Sequence, residues 1–447
     1  MFEWFTFLMK QTNDYWIKDI ALAEQGKRAV EQALNDMPGL RQLEKKYASE
    51  KPLKDLRITG CVLVTYETAA FISTLQKLGA QLRWCPDNRF ASLDDACAYI
   101  ASLGIPVFAK KGMTEEEYLW SFEQAIQFKD ANGKFLGPNF VIDDGCDITR
   151  YLHEKHPDLY AQILATNEQT TCGVTFHYAL QKEGNLKTVV LNINESVTKS
   201  KFDNIYGSRE SLIEGLQAAM NFQLGGKKVV IFGYGEVGKG CAKVMAGVGA
   251  HVVVVEIDPI MAMQAHMEGF EVLSPKEAAK AGDVFITATG CNKTIDADDM
   301  LLMKDGVVLG NMGHGNMEVN TEWLNGNKAL GKEKVNDYVD AYVFPDGKKV
   351  YLLVEGYLVN LRSGQGHPPR VMSITFTNHI LAIFEMLKNP KRYQKGGIYR
   401  LPRELDEEAA RLNFPELQGK LAKLTKEQAE YLGVSVKGPY KREDYRY

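Results

Sequence analysis

No stretch of the 447-residue sequence is apolar for long enough to span a bilayer. The longest apolar runs, such as Val252–Val255, are strand-sized, against roughly 20 residues for a spanning helix. Blocks of like charge are missing too. Lys and Arg number 53 and Asp and Glu 57, a net charge of −4 spread along the chain, so there is neither a nucleic-acid arm nor a polybasic membrane patch. The seven cysteines (Cys61, Cys85, Cys97, Cys146, Cys172, Cys241, Cys291) are odd in number, scattered and never spaced C-x-x-C. They give no sign of a disulfide framework or a zinc knuckle, no metal is expected, and a reducing compartment fits. Met1–Lys10 carries Glu3 and lacks both a basic lead-in and a small-residue cleavage site, so it does not read as a signal peptide. No repeat of solenoid period and no low-complexity tract occurs. The expectation is a cytoplasmic protein that acts on a small molecule, with neither nucleic acid nor membrane as partner.

What is present is ordinary globular composition, 45% hydrophobic and 25% charged, in a length that suits two or three domains at roughly 150 residues each. From Arg57 onward, short β-rich runs alternate with helical stretches. Arg57–Thr65, Gln81–Trp84, Pro106–Ala109, Phe140–Asp143, Gln162–Ala165 and Val189–Asn192 read as buried parallel strands. A second series has strands near Lys228–Phe232, Val252–Glu256, Asp283–Thr287 and Gly306–Gly310. The pattern predicts an α/β protein with two doubly wound parallel sheets. Asn360–Pro369, rich in Gly and Pro, suits a hinge, and the polar last thirty or so residues suit an arm that docks elsewhere.

Lys228–Phe232 runs into Gly233-Tyr234-Gly235-Glu236-Val237-Gly238, then a helical stretch, a second strand and Glu256 at its end. Strand, G-x-G-x-x-G, helix and a following acid together make a dinucleotide fingerprint. Gly233 permits the tight turn, Gly235 lets the backbone approach a pyrophosphate at the helix N-terminus, and Gly238 lets the helix approach the sheet. Glu256 would accept hydrogen bonds from a ribose diol. No Arg or Lys follows it in Ile257-Asp258-Pro259-Ile260, which favours NAD over NADP.

Elsewhere, Lys199 and Asp203 form a charged pair. It is either a solvated i,i+4 pair or a base that takes a hydroxyl proton beside an ammonium that supports the oxyanion. Asp144 follows an apolar strand, at the carboxyl end where such sheets bind ligands, although an Asp there is often a turn former. His314 lies between Gly313 and Gly315.

The chain resembles the S-adenosylhomocysteine hydrolase family over nearly its whole length. The stretches that carry the resemblance are Asp143-Asp144-Gly145, Asn194 through Asn204 (NESVTKSKFDN), Gly233 through Gly240 (GYGEVGKG), Glu256-Ile257-Asp258-Pro259, Gly313-His314, Gly366-His367-Pro368 and Gly438-Pro439-Tyr440-Lys441 with Tyr445-Arg446-Tyr447. The resemblance implies a substrate domain (1–205 and 361–415) split around an NAD-binding Rossmann domain (206–360). It also implies an arm (416–447) that brings Lys441 and Tyr445 to a neighbouring protomer's cofactor in a homotetramer or dimer. The implied reaction oxidises a ribose 3′-hydroxyl with tightly bound NAD, removes the acidified C4′ hydrogen, expels the 5′ substituent, adds water and re-reduces the ketone. On this reading Lys199 and Asp203 serve the 3′-hydroxyl, Asp144 is the C4′ base, and His314 lies near the nicotinamide. Asn194, Asn204 and Asn360 match positions around the nicotinamide and its carboxamide; Glu67, Thr68 and His367 match purine-recognition positions.

The substrate half departs from the family pattern. Where Cys-Leu-His-Met-Thr is usual, Cys61-Val62-Leu63-Val64-Thr65 stands here, so Leu63 replaces a histidine on the 5′ side. Ala91-Ser92-Leu93-Asp94 replaces Ser-Thr-Gln-Asp. In Glu168-Gln169-Thr170-Thr171-Cys172-Gly173, Gln169 stands at the ribose-binding carboxylate with Thr170 beside it. An amide there can hydrogen-bond a hydroxyl but cannot act as a base. Cys146 stands for a glycine, Ser208 for a cysteine, Gly315 for a bulky aromatic, and Arg362-Ser363-Gly364-Gln365 for Gly-Cys-Ala-Met. Arg89 is a possible cation for an acidic substrate tail, or a surface arginine. Three functions follow: the family reaction on adenosylhomocysteine or a substrate with another leaving group, an NAD-dependent dehydrogenase of a nucleoside or sugar-like diol, or a non-catalytic regulatory paralogue.

Overall fold

The computed structural model describes residues 14–447; Met1–Lys10 lies outside them. The strands in chain order are β1 (Arg57–Cys61), β2 (Gln81–Cys85), β3 (Phe140–Asp143), β4 (Ala165–Glu168), β5 (Val189–Asn192), β6 (Lys228–Phe232), β7 (His251–Val255), β8 (Glu271–Val272), β9 (Val284–Thr287), β10 (Val307–Asn311), β11 (Gly331–Asn336), β12 (Val339–Val343), β13 (Lys349–Leu353) and β14 (Ile398–Arg400). They are shared between two compact units. One comprises the residues up to Lys199 together with Met372–Tyr447, the other Ser200–Val371.

The first unit is built on a six-stranded sheet of order β14-β5-β4-β3-β1-β2, every pair parallel. Successive strand residues face opposite layers. Ile58, Leu82, Phe140 and Ile142 join a large core that includes Phe71, Phe376 and Ile380, while Cys61, Cys85 and Val141 join a smaller one with Phe122, Ile148 and Tyr160. A sheet covered on both faces must be apolar on both. Strand order reverses between β1 and β3, the switch point at which open α/β sheets bind their ligands.

In the second unit, β13-β10-β9-β6-β7-β8 is parallel, with β12 and β11 added antiparallel at one edge. Numbered within the unit, the parallel part has the order 3-2-1-4-5-6 of a dinucleotide fold, with its switch point between β6 and β9. Val229 and Ile231 face one core, Val230 and Phe232 the other. The two sheets agree with the α/β reading, and the antiparallel ribbon adds to it.

Three strand assignments need correction. Arg57–Thr65 is a strand only to Cys61, and Thr65 caps the following helix. Pro106–Ala109 contributes only isolated bridges, Trp84 with Val107 and Trp16 with Phe108. Gln162–Ala165 is not a strand. β4 starts at Ala165 and runs through Thr166, Asn167 and Glu168, polar residues that an apolar-run criterion passes over. No helix among the described residues is long and apolar enough to cross a membrane.

Gly60 in β1 is a sensitive point, because a Cβ there would lie 2.2 Å from the fully buried Trp84 ring. Gly60→Ala should therefore lower the stability of the first unit by about 1–3 kcal/mol through overpacking, read as a lower urea midpoint of tryptophan fluorescence. An unchanged midpoint would show that the Trp84 layer is loose.

Candidate active site

In the first unit every candidate residue follows a strand's carboxyl end. Leu63 and Thr65 follow β1, Asp144 follows β3, Gln169 and Thr170 follow β4, and Asn194 and Lys199 follow β5. Thr65 caps the helix Tyr66–Lys77, its hydroxyl accepting from the Thr68 N–H at 3.3 Å, and Glu67 and Thr68 are buried in that helix's first turn. Beyond β3, the buried Asp143 carboxylate accepts the N–H groups of Asp144 (3.0 Å) and Thr149 (2.9 Å), which fixes the turn presenting Asp144. Burial pushes the Asp143 carboxyl up to about 7 despite these bonds.

Asp144 Oδ2 accepts from Gln169 Nε2 at 2.5 Å. With the Gln169 amide N–H committed to a carboxylate, its Oε1 faces His379 Nε2 at 3.0 Å. Asn167 Nδ2 lies 3.2 Å from His379 Nδ1. Donors and acceptors are consistent in one direction only, with the imidazole proton on Nε2: Asn167 donates to His379, His379 to Gln169, Gln169 to Asp144. His379 has no motif around it, and sequence reasoning missed it.

Asp87, beyond the end of β2, was also missed. Its Oδ1 accepts the Leu63 N–H. Burial, with the neighbouring Asp144 and Asp147 charges, raises the Asp87 carboxyl well above the ordinary carboxylate range. Arg89, the suggested cation for a substrate tail, is engaged otherwise: its guanidinium pairs with Glu115 at 3.1 Å and lies over the Phe90 ring. Lys199 Nζ reaches Asn194 Oδ1 at 3.4 Å, and Asn194 Nδ2 donates to Thr171 Oγ1 at 3.1 Å. Lys199 and Asp203 are 5% and 4% exposed, so neither lies on a solvated face.

In the second unit the fingerprint glycines have three different surroundings. Gly233 has φ +93°, and a Cβ there would meet the Ala288 carbonyl at 2.9 Å; at Gly238 a Cβ would lie 1.9 Å from the Gly233 carbonyl oxygen; at Gly235 it would meet nothing within 4 Å. The first two are forced by turn and packing, and the third leaves open space at the N-terminus of the helix Glu236–Gly247, where no side chain caps the free N–H groups. Glu256 accepts from the N–H groups of Tyr234 (2.6 Å), Ile257 (2.6 Å) and Asp258 (2.9 Å), which anchors its carboxylate beside the glycine turn. Glu236, next to Val237 in the first helical turn, pairs with Lys201 at 2.6 Å. Glu236 Oε2 and Asn360 Oδ1 are buried without a hydrogen-bond partner. This cradle fits a dinucleotide: open glycine, uncapped helix end, anchored acid and unfilled polar atoms.

Also in this unit, a π-helical turn spans Asp203–Gly207 and includes Asn204. His367 Nε2 lies 3.6 Å from Asp203 Oδ1 and its Nδ1 3.1 Å from Ser211 Oγ, which also accepts from Asn360 Nδ2 at 3.2 Å. His367 thus neighbours Asp203 and belongs to a different unit from Glu67 and Thr68. His314 is held through its backbone by the fully buried Glu318, a third residue missed in the sequence. Glu318 accepts the N–H groups of His314 (2.8 Å), Thr289 (3.0 Å) and Gly290 (2.8 Å) and the Thr289 hydroxyl (2.9 Å). Lys441 and Tyr445 are exposed and stack on each other at 4.6 Å; the arm is tied within its own chain by Arg403 to Glu443 and to the Tyr445 carbonyl.

Fold and cradle define an NAD-binding α/β protein. Residues 204–366 match the family described as S-adenosyl-L-homocysteine hydrolase, NAD binding domain, and residues 14–163 match S-adenosyl-L-homocysteine hydrolase. The chain belongs to the S-adenosyl-L-homocysteine hydrolase family, is an NAD-dependent enzyme of that type, and has NAD as its cofactor. Among solved structures it is similar to a dipicolinate synthase from Bacillus subtilis, at 12% identity and TM-score 0.41 over 75% of this chain and 97% of that one. The corresponding figures for the dipicolinate synthase from Bacillus halodurans are 13%, 0.42, 74% and 97%. Likenesses this slight have no bearing on activity.

The His379 chain makes a direct prediction. His379→Ala removes the N–H that holds Gln169 and should cut turnover about 10²-fold by misplacing Asp144, with NAD content unchanged on release by heat. Gly235→Val should do the converse, losing NAD because its side chain fills the open space. Equal turnover in His379→Ala and the parent would show that Asp144 is oriented by other groups.

Proposed function

We propose that the chain is a hydrolase of adenosylhomocysteine, or of a related 5′-substituted nucleoside with a different leaving group, working through reversible oxidation at the 3′-carbon. When bound, NAD supplies an acceptor for the hydrogen and electrons of the 3′-alcohol and returns them at the end, so no net redox change occurs. Asp203 takes the 3′-hydroxyl proton, and the Lys199 ammonium supports the oxyanion that develops. Asp144 removes the C4′ proton. His314, Asn204 and Asn360 orient the nicotinamide side and the ribose, and Glu67, Thr68, Thr65 and His367 read the base.

The observation that supports this reading is the pair of carboxyl groups beyond β2 and β3. Asp144 is oriented by the Gln169 amide, as a base needs. Asp87 sits on the Leu63 N–H and is pushed toward its protonated form by burial and by its acidic neighbours, as an acid needs. A carboxylic acid at Asp87 supplies the leaving-group proton that Leu63 cannot. The assembly that would bring Lys441 and Tyr445 to a neighbour's cofactor, and the split of the substrate domain around 206–360, belong to the same proposal.

Asp87→Asn should lower thioether cleavage by about 10²–10⁴-fold while solvent deuterium still enters C4′, and Leu63→His in that background should restore part of it. The acid works only when protonated, so parent activity should fall as pH rises through the elevated Asp87 pKa, and Asp87→Asn should lose that alkaline limb. Lys199→Ala and Asp203→Ala should abolish the NADH absorbance produced on mixing with nucleoside. Stoichiometric NADH with a released ketone would instead identify a dehydrogenase, and the absence of both exchange and absorbance a regulatory protein.

A further inference from the structure

We propose that Cys146, Glu168 and His177 form a buried site for one divalent transition metal of the zinc class, separate from the reacting groups and structural in purpose. The three residues come from different segments: Cys146 from the turn after β3, Glu168 from the end of β4, and His177 from the helix Thr171–Lys182. One sulfur, one oxygen and one nitrogen from this trio lie within 4.8 Å of one another, and all three residues are buried. Around a tetrahedral zinc such atoms stand roughly 3.3–3.7 Å apart, so ordinary side-chain adjustment brings the three donors onto one metal, with a water or the Gly173 carbonyl oxygen beside Cys146 Sγ in the fourth position.

His177 is the observation that points to a ligand. It is 0% exposed, and neither ring nitrogen has a hydrogen-bond partner. Buried imidazoles are ordinarily bonded on at least one side, since each unmet nitrogen carries an unrecovered desolvation cost. Here the ring instead faces a thiol and a carboxylate, the two donor types that complete a Cys-Glu-His set.

Charge supports the same conclusion. Glu168 already accepts five bonds, from Gly145 N, Thr170 N and Thr170 Oγ1 on Oε1 and from Cys146 N and Cys146 Sγ on Oε2, an arrangement that suits an anion. With a thiolate at Cys146 it supplies two negative charges, which a divalent cation cancels, leaving a neutral buried site. The exchange is simple. The metal–sulfur bond forms, the S–H bond breaks, and the proton leaves to solvent; no oxidant or reductant is involved. Cys146 Sγ now lies 3.3 Å from Glu168 Oε2 and 3.2 Å from the Gly173 carbonyl oxygen, so the metal replaces a single shared thiol proton.

Such a metal would pin the turn after β3 to the end of β4, the two supports of Asp144 and Gln169. The proposal holds whether or not the catalytic reading is right, because its readout is metal content. Full-length protein purified in chelator should take up about one cobalt(II) per chain, with the near-ultraviolet thiolate-to-cobalt charge-transfer band and the intense visible bands of a tetrahedral site, both lost on adding zinc. Zinc should raise the Tm of the parent. Cys146→Ala and His177→Leu should each lose the band and the Tm response, although Cys172 and Cys291 remain in both. His177→Leu replaces an unsatisfied ring with an apolar side chain and should melt no lower than the metal-free parent, so a folding defect would not explain its loss of binding. A parent without the band and unmoved by zinc, or a His177→Leu protein that keeps the parent spectrum, overturns the site.

Discussion

The buried Glu168 carboxylate is the contact on which the substrate half of this molecule depends. Parallel strands end together, and the loops that leave them have no ladder to hold them. Glu168 replaces the missing ladder by collecting the N–H groups of Gly145, Cys146 and Thr170, which ties the loop carrying Asp144 to the loop carrying Gln169. The cofactor half uses the same device. Glu318 gathers Thr289, Gly290 and His314, joining the loops after β9 and β10. At Gly313 a Cβ would lie 1.8 Å from that carboxylate, so the glycine before His314 is required by the anchor. In both units a buried acid accepts several backbone donors, a network stable only when fully satisfied.

The cofactor half was legible because its constraints are local. Turn, close approach and packing all fall within Gly233–Gly238, and each demands glycine for its own reason. Lys199, Asp203 and Asp144 could be named from their neighbours in sequence, although only burial separates a working Lys199 and Asp203 from a solvated pair. β4 was placed three residues early because its Thr166-Asn167-Glu168 run is polar. These residues are polar because the strand end serves the site: Asn167 bonds His379 and Glu168 anchors the turns. Polarity that marks function hides a strand from a reading based on apolar runs.

Asp87, His379 and Glu318 were illegible for a different reason. Each acts through a partner far away in sequence, Asp87 through Leu63 and His379 through Gln169, and no periodicity or short motif encodes such a pairing. Arg89 shows the converse: its position suggested a free cation, while Glu115 from the helix Glu115–Ala125 holds its charge.

These pairings change the meaning of the amide at position 169. By itself Gln169 reads as a lost carboxylate. In place, its two ends are used in opposite senses, the N–H toward Asp144 and the carbonyl oxygen toward His379. A carboxylate there could not donate to Asp144. It would set a second negative charge against Asp144, and two such groups at hydrogen-bond distance share a proton instead of both ionising. Gln169 and His379 therefore act as one unit, the amide N–H donating to Asp144 while the amide oxygen accepts from the imidazole. On the proposed reading of Asp144 as the base, the departure at this position is a change in how that carboxylate is held.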